Sequence, residues 1–267
     1  MSVDMVALVG DLAAESREIE RLLAALPDAQ WDTPTPSPGW LVRDQVSHLA
    51  YFDEMAVLAA RDPERFRRES AQLLEVGASF ADEVAARHRS RSPAELLGWM
   101  HQTRTTYLET FGSLAPGVSL PWYGPPMSAT SSVTARLMET WAHGQDVVDA
   151  VGSSRPPTAR LRHVAHLGVA TRGWSFLARG LPVPEAPVRV ELTGPDDEVW
   201  TWGPGDATDR VTGPALDFCL LVTQRRHRSE AALSAAGPLA QAWLEIAQAF
   251  AGPPGPGRDP VGASTGT

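Results

Sequence analysis

The chain has 267 residues, 23 basic against 32 acidic side chains for a formal net charge of −9, and a single cysteine. That balance, with no basic run, excludes a nucleic-acid binder and disfavours an anionic membrane surface, since both attract clustered cations. Every basic residue is arginine, and neither lysine nor asparagine occurs, so chemistry that needs a lysine Schiff base is ruled out. The lone Cys219 can form neither an intramolecular disulfide nor a cysteine-rich metal site, which leaves histidine and carboxylates to hold any metal. Residues 1–12 carry no basic segment followed by an apolar block, and no apolar run reaches the roughly 18 to 20 residues that span a bilayer; a cytoplasmic protein with no membrane partner is expected.

In chain order, Leu8, Leu12, Ile19, Leu22, Leu23 and Leu26 at helical spacing predict a first helix over 3–26, stopped by Pro27. A loop rich in Pro, Ser and Thr over 33–39 leads into a second helix, 41–60. Its stripe of Leu41, His48, Phe52, Met55 and Ala59 sets a histidine inside an apolar face. Pro63 opens a charged third helix to about residue 88. Ser92 as N-cap, Pro93 in the first turn and Glu95 as an early acidic residue open a fourth, running to about 114. The stretch 115–130 reads as a loop in which Trp122, Tyr123 and Met127 are expected to roof a pocket and bind substrate. Helices over 131–151 and 158–179 follow. Beyond Gly180, Val188, Val190 and Leu192 alternate with Arg189 and Glu191, and the turn Gly194-Pro195-Asp196-Asp197 leads into Val199, Trp200 and Trp202, a β-hairpin pattern. Two helices, 213–223 and 238–250, complete this part. The expected fold class is α+β, mainly α: an antiparallel helical bundle over 1–155, a linking helix and small α+β domain over 156–252, and a disordered tail over 253–267.

One constellation carries chemistry. Glu139 and His143 stand at i and i+4, so one turn of helix brings a carboxylate oxygen and an imidazole nitrogen to the same face, where both can reach one ion. His48, on the inward stripe of another helix, is the best third ligand. Such a set leaves open positions on the metal, as catalytic divalent sites do. The alternative is a solvated polar stripe of Arg136, Glu139, His143 and Asp146, since this stripe lies off the Val133-Leu137-Val148-Val151 face.

These residues also carry a resemblance. Ser37-Pro38-Gly39-Trp40, then Asp44-Gln45-Val46-Ser47-His48-Leu49, and later Arg136 to Asp146 resemble the mycothiol-dependent maleylpyruvate isomerase family, within the DinB-like metal-binding helical bundles. The resemblance implies a divalent metal, usually zinc, on His48, Glu139 and His143, mycothiol as a diffusible cosubstrate, and a C-terminal domain similar to sterol-carrier-like folds. It also implies an active-site arginine after the first helix of that domain. Arg225 is the nearest match and Arg226 the alternative, each suited to a carboxylate or a polar thiol head; a basic helix end is the plainer reading of both. Asp44 and Asp146 are expected either to accept from a ligand imidazole or to be surface carboxylates, and Arg136 to reach substrate.

The implied activity is cis-trans isomerisation or S-transfer on a small electrophilic, acidic substrate. Two other readings stay open: a thiol-independent hydrolase, lyase or tailoring enzyme on the same metal, and a non-enzymatic small-molecule binder. The partners expected are the substrate and the thiol, with the chain a monomer or homodimer.

Overall fold

A computed structural model of the chain describes residues 4–75, 77, 80–255 and 257–260. It divides into two compact units, Met1–Arg155 and Pro156–Thr267.

The first unit holds helices α1 (Met5–Ala24), α2 (Val42–Arg61), α3 (Pro63–Leu74), α4 (Phe80–Arg87) and α5 (Pro93–Gly112), a two-stranded ribbon of β1 (Ser119–Leu120) and β2 (Met127–Ser128), and α6 (Ala129–Ala150). Capping defines the ends: Asp4 accepts from the Val6 and Ala7 amides at the start of α1, and Ser128 from the Ser131 amide at the start of α6. Ser92 and Glu95 form a reciprocal capping box ahead of Pro93.

The charged stretch after Pro63 is two helices rather than one. Gly77, at φ +84°, takes a backbone conformation that no right-handed helix accommodates. Both α3 and α4 pack on α2.

The four long helices share one core, because α1 and α2 each pack against both α5 and α6. Trp31, Tyr107, Phe111, Leu8, Leu12, Leu49, Leu96 and Leu137 are fully buried, each large side chain worth about 1.5–3 kcal/mol of transfer free energy. α6 is buried around most of its circumference, its polar residues Arg136, Thr140, His143, Gln145 and Asp146 included. The polar stripe of this helix is therefore interior.

A charged network crosses that interior. Asp53 on α2, 0% exposed, accepts from Arg104 Nε of α5 at 2.6 Å and from Arg136 Nε of α6 at 2.8 Å. Arg104 also donates to Ser16 of α1 and to Thr140 of α6, so all four long helices contribute. Arg136 spends its remaining reach on the Leu49 carbonyl, 3.1 Å away. The substrate role expected for Arg136 gives way to this one: its side chain is 5% exposed and its guanidinium is bonded within the bundle.

The second unit contains α7 (Leu161–Ala170), α8 (Arg172–Leu177), β3 (Val188–Thr193), β4 (Val199–Trp202), β5 (Asp209–Pro214), α9 (Ala215–Val222), β6 (Ser234–Ala236) and α10 (Pro238–Ile246). The helix expected over 158–179 is divided at Thr171, whose hydroxyl has the Leu167, Gly168 and Gln248 carbonyls within hydrogen-bond reach of its one proton and competes with the helical ladder. The hairpin is present, with Val190 opposite Trp202 and Leu192 opposite Trp200. It belongs to a four-stranded sheet of order β4-β3-β5-β6, in which β5 runs parallel to β3. Strands β5 and β6 were not expected from the sequence, and the helix read from residue 213 begins at Ala215, once β5 has ended. Cys219 is buried beside Phe218 and Val222; burial pushes its thiol well above the ordinary range. The tail expected over 253–267 lies partly outside the described residues, and residues 253–255 and 257–260 carry no helix or strand.

Candidate metal centre

The three expected ligands meet. His48 comes from the middle of α2, and Glu139 and His143 from successive turns of α6, a helix that packs directly on α2. Glu139 Oε2 lies 3.0 Å from His143 Nε2 and 3.4 Å from His48 Nε2, and one ligand atom from each residue lies within 4.8 Å of the others. Donors held about 2.0–2.2 Å from a tetrahedral zinc ion stand roughly 3.3–3.6 Å apart, so the cluster needs only small adjustments to close on one. The side chains are 12%, 24% and 10% exposed in the order His48, Glu139, His143.

The electrostatics favour a cation. Burial, with His143 beside it, lowers the His48 pKa to about 4, so at neutral pH its ring is uncharged and carries a lone pair. Burial alone pushes the Glu139 carboxyl up, but hydrogen bonds and charge from His143 and His48 outweigh it and hold the group well below the usual carboxylate range. One anionic and two imidazole donors in a largely dry setting are what a borderline divalent ion takes; two histidines and one carboxylate leave further positions for a small molecule. The residues present fit the metal that the sequence implies.

The loop before α2 shapes one side. A bridge pairs Pro34 with Leu41, Gly39 turns at φ +78° where other residues would be strained, and Trp40 is carried over the site. Its indole stacks on His143 at 5.8 Å between ring centroids and 17° between planes, and lies 5.3 Å from His48. Phe52, one turn beyond His48, closes another side at 4.6 Å. Behind it Trp122 and Tyr123, both half-buried, pack with Phe66 and Phe80. Met127, on β2 opposite Leu120, lines a narrow crevice with Trp122, Ala56 and Phe111.

Of the two carboxylates expected next to the ligand rings, Asp44 bonds elsewhere. Asp44 caps α2 by accepting from the Leu41 amide at 2.9 Å and forms a forked pair with Arg89, 2.7 Å at the shortest; Arg89 also holds the Gly39 carbonyl. Asp44 thus fastens the loop, and none of its described contacts is to a ligand ring. Asp44→Ala is expected to cost about 1–3 kcal/mol of stability through the lost cap and pair while leaving zinc affinity within threefold, measured by thermal unfolding and chelator competition. Asp146, fully buried, accepts from Ser37 Oγ at 3.0 Å.

A ring partner from α2 is Gln45, whose Oε1 lies 2.5 Å from His143 Nδ1. Sequence reasoning passed over it, although Gln45 precedes His48 by three residues and so shares its helix face. Arg225 and Arg226 belong to the second unit, just after α9, where Gln224 turns the chain at φ +60°; Arg225 donates to the Thr223 carbonyl at 2.6 Å and Arg226 to the Arg225 carbonyl at 2.7 Å.

Comparison with known proteins agrees with this architecture. Two proteins of Mycobacterium tuberculosis, uncharacterized protein MT0041 of strain CDC 1551 / Oshkosh and uncharacterized protein Rv0036c of strain ATCC 25618 / H37Rv, are each 50% identical over 250 residues, covering 94% of this chain and 97% of theirs. Among solved structures, a histidine-to-alanine mutant of the mycothiol-dependent maleylpyruvate isomerase superposes with a TM-score of 0.61 at 15% identity, over 87% of this chain and 93% of that one. A second crystal structure of the mycothiol-dependent maleylpyruvate isomerase gives 0.56 at 14%, over 84% and 90%. At such identities the likeness is one of fold. The description "Wyosine base formation" matches residues 184–234, and "Mycothiol maleylpyruvate isomerase N-terminal domain" matches residues 12–148, just over half of the chain. That longer stretch contains His48, Glu139 and His143, and the chain belongs to the mycothiol maleylpyruvate isomerase N-terminal domain family.

Proposed function

We propose that this chain is a divalent-metal-dependent enzyme that uses mycothiol as a diffusible cosubstrate for cis-trans isomerisation or S-transfer on a small, electrophilic, acidic substrate. The observation that carries the reading is the convergence of His48, Glu139 and His143 within a bundle whose family is named for such an isomerase. Zinc is the ion proposed for this donor set, which suits a borderline divalent cation. When bound it supplies Lewis acidity, lowering the pKa of a thiol brought to it so that sulfur is nucleophilic near neutral pH.

The chain's own residues do the rest. His48 offers a neutral ring at working pH, and Glu139 stays ionised and brings the one negative charge of the set. Trp40 and Phe52 keep water from two sides of the imidazoles, which strengthens charge interactions there. The thiol has to come from outside, because Cys219 is buried in the second unit with its thiol held in the protonated form. An acidic substrate needs a fixed cation, and arginine is the only such side chain in the chain; Arg225, with Arg226 beside it, is proposed for that role, and Trp122, Tyr123 and Met127 for apolar contact.

The test is a thiol-dependence assay. Zinc-loaded protein is incubated with cis-configured unsaturated dicarboxylic acids, with and without mycothiol, and products are separated as isomers or S-conjugates by mass spectrometry. Strict dependence on the thiol is expected, with Arg225→Ala raising KM for the acid about 10- to 100-fold, the worth of one charge-assisted hydrogen-bond pair. Turnover that ignores the thiol moves the chain to hydrolase or lyase chemistry on the same metal.

A further inference from the structure

The proton directions around His143 can be followed outward through hydrogen bonds to a group that has no choice. The Trp40 carbonyl oxygen can only accept. Thr35 Oγ1 lies 2.9 Å from it and donates its single proton there, beside the Thr35 amide, which bonds the same carbonyl at 2.8 Å. Toward Gln45 Nε2, also 2.9 Å away, the same oxygen can then only accept. This sets the Gln45 amide with its NH2 toward Thr35 and its carbonyl oxygen toward His143 Nδ1. An acceptor at that position takes the Nδ1 proton, which leaves Nε2, the atom that faces Glu139 and His48, as the nitrogen to present to an ion in place of the proton it shares with Glu139. Reversing the amide would require the Thr35 hydroxyl to turn its proton from the Trp40 carbonyl to the Gln45 oxygen.

We infer that Gln45, held by Thr35, is a positioning residue for the metal: it fixes the ring of His143 and presents Nε2 to the ion. The inference rests on the metal reading of the triad and names a role for a glutamine to which the sequence reading gave none. His48 has no counterpart, since its Nδ1 is buried without a hydrogen-bond partner, and His143 is the ligand whose orientation is imposed from outside the site. A neutral acceptor behind a ligand histidine raises the basicity of the coordinating nitrogen and removes ring rotation from the cost of binding; loss of such a partner typically weakens metal affinity about 10- to 100-fold.

Two substitutions separate this role from packing. Gln45→Met keeps the length and removes the acceptor, whereas Gln45→Glu keeps an acceptor and introduces a buried charge. A packing role predicts near-normal behaviour for Met and damage from Glu, and the positioning role predicts the reverse. Zinc affinity is measured by competition with a chromophoric chelator, and the Nδ1–H resonance of His143 by 15N NMR of the zinc-loaded protein. The expected result is a 10- to 100-fold loss of affinity and a rapidly exchanging Nδ1–H in Gln45→Met, with Gln45→Glu within a few-fold of the unaltered chain and its Nδ1–H retained. Thr35→Val, a loop substitution that keeps the shape, should weaken zinc binding by a smaller factor and serves if Gln45→Met does not fold. Zinc binding unchanged in both Gln45→Met and Thr35→Val overturns the inference alone; an unaltered chain that binds no zinc overturns the metal reading and this inference with it.

Discussion

Replacing His143 with alanine is expected to strip the site: bound zinc, about one ion per chain in the unaltered protein for a single three-ligand site, falls to background on elemental analysis, and thiol-dependent turnover falls with it. The geometry explains why one ligand suffices for so large an effect. Glu139 Oε2 is the common neighbour of both imidazoles, and His143 is its nearer partner at 3.0 Å. Without His143, one carboxylate oxygen and His48 remain, too few donors to retain an ion against a chelator. The fold should survive, because the principal loss is the partner of Gln45 Oε1, a cost of about 1–3 kcal/mol. A His143→Ala chain that keeps stoichiometric zinc and full turnover would falsify the proposed function.

Asp53→Ala is expected to produce the largest loss of stability that a single buried substitution can cause in the bundle. Asp53 is the shared acceptor of Arg104 and Arg136, all three nearly inaccessible. Removing it leaves two guanidinium groups buried beside one another without their counter-charge. Breaking a buried pair in this way costs about 3–5 kcal/mol, which for a domain of this size corresponds to a fall in Tm of roughly 6–20 °C. Arg136 stands one turn before Glu139 on α6, so the disturbance should also reach the triad and lower zinc affinity. Replacing all three charges together with Leu, Met and Met should recover most of the loss, since the network's net worth against well-packed apolar residues is small. A single Asp53→Ala variant that melts within about 2 °C of the unaltered chain would show the network to be solvated after all.

How much of this was legible in the linear chain depended on the range over which each feature is set. The helices with strong local signals were legible: leucine spacing for α1, and Ser92, Pro93 and Glu95 for the start of α5, where the capping box forms as the residues suggest. The β3–β4 hairpin was legible for the same reason, since its alternation and its turn lie within fifteen residues. β5 was not. Asp-Arg-Val-Thr-Gly-Pro has one apolar side chain besides Pro214 and ends in two poor strand formers; it is a strand because β3 and β6 flank it and complete its backbone hydrogen bonds. The division of α7 from α8 at Thr171 depends in part on the Gln248 carbonyl, 77 residues away, and no local window contains it.

The triad shows the same division within one site. Residue type and helical period were enough to pair Glu139 with His143, because one turn of helix is a local rule, and they pointed to His48 as a histidine out of place on an apolar face. Whether the Arg136-Glu139-His143-Asp146 stripe faced water or protein was beyond them: a polar stripe has the same spacing in either setting. The packing of α6 against both α1 and α2 turns it inward, and that same packing takes Arg136 for Asp53, commits Asp44 to Arg89 and sets Gln45 behind His143. Which residues offer donor atoms is thus a property of residue chemistry and local geometry, readable along the chain. The partner of each polar group is a property of which helices meet, because charges and amides search in three dimensions for whatever the fold leaves within about 3 Å.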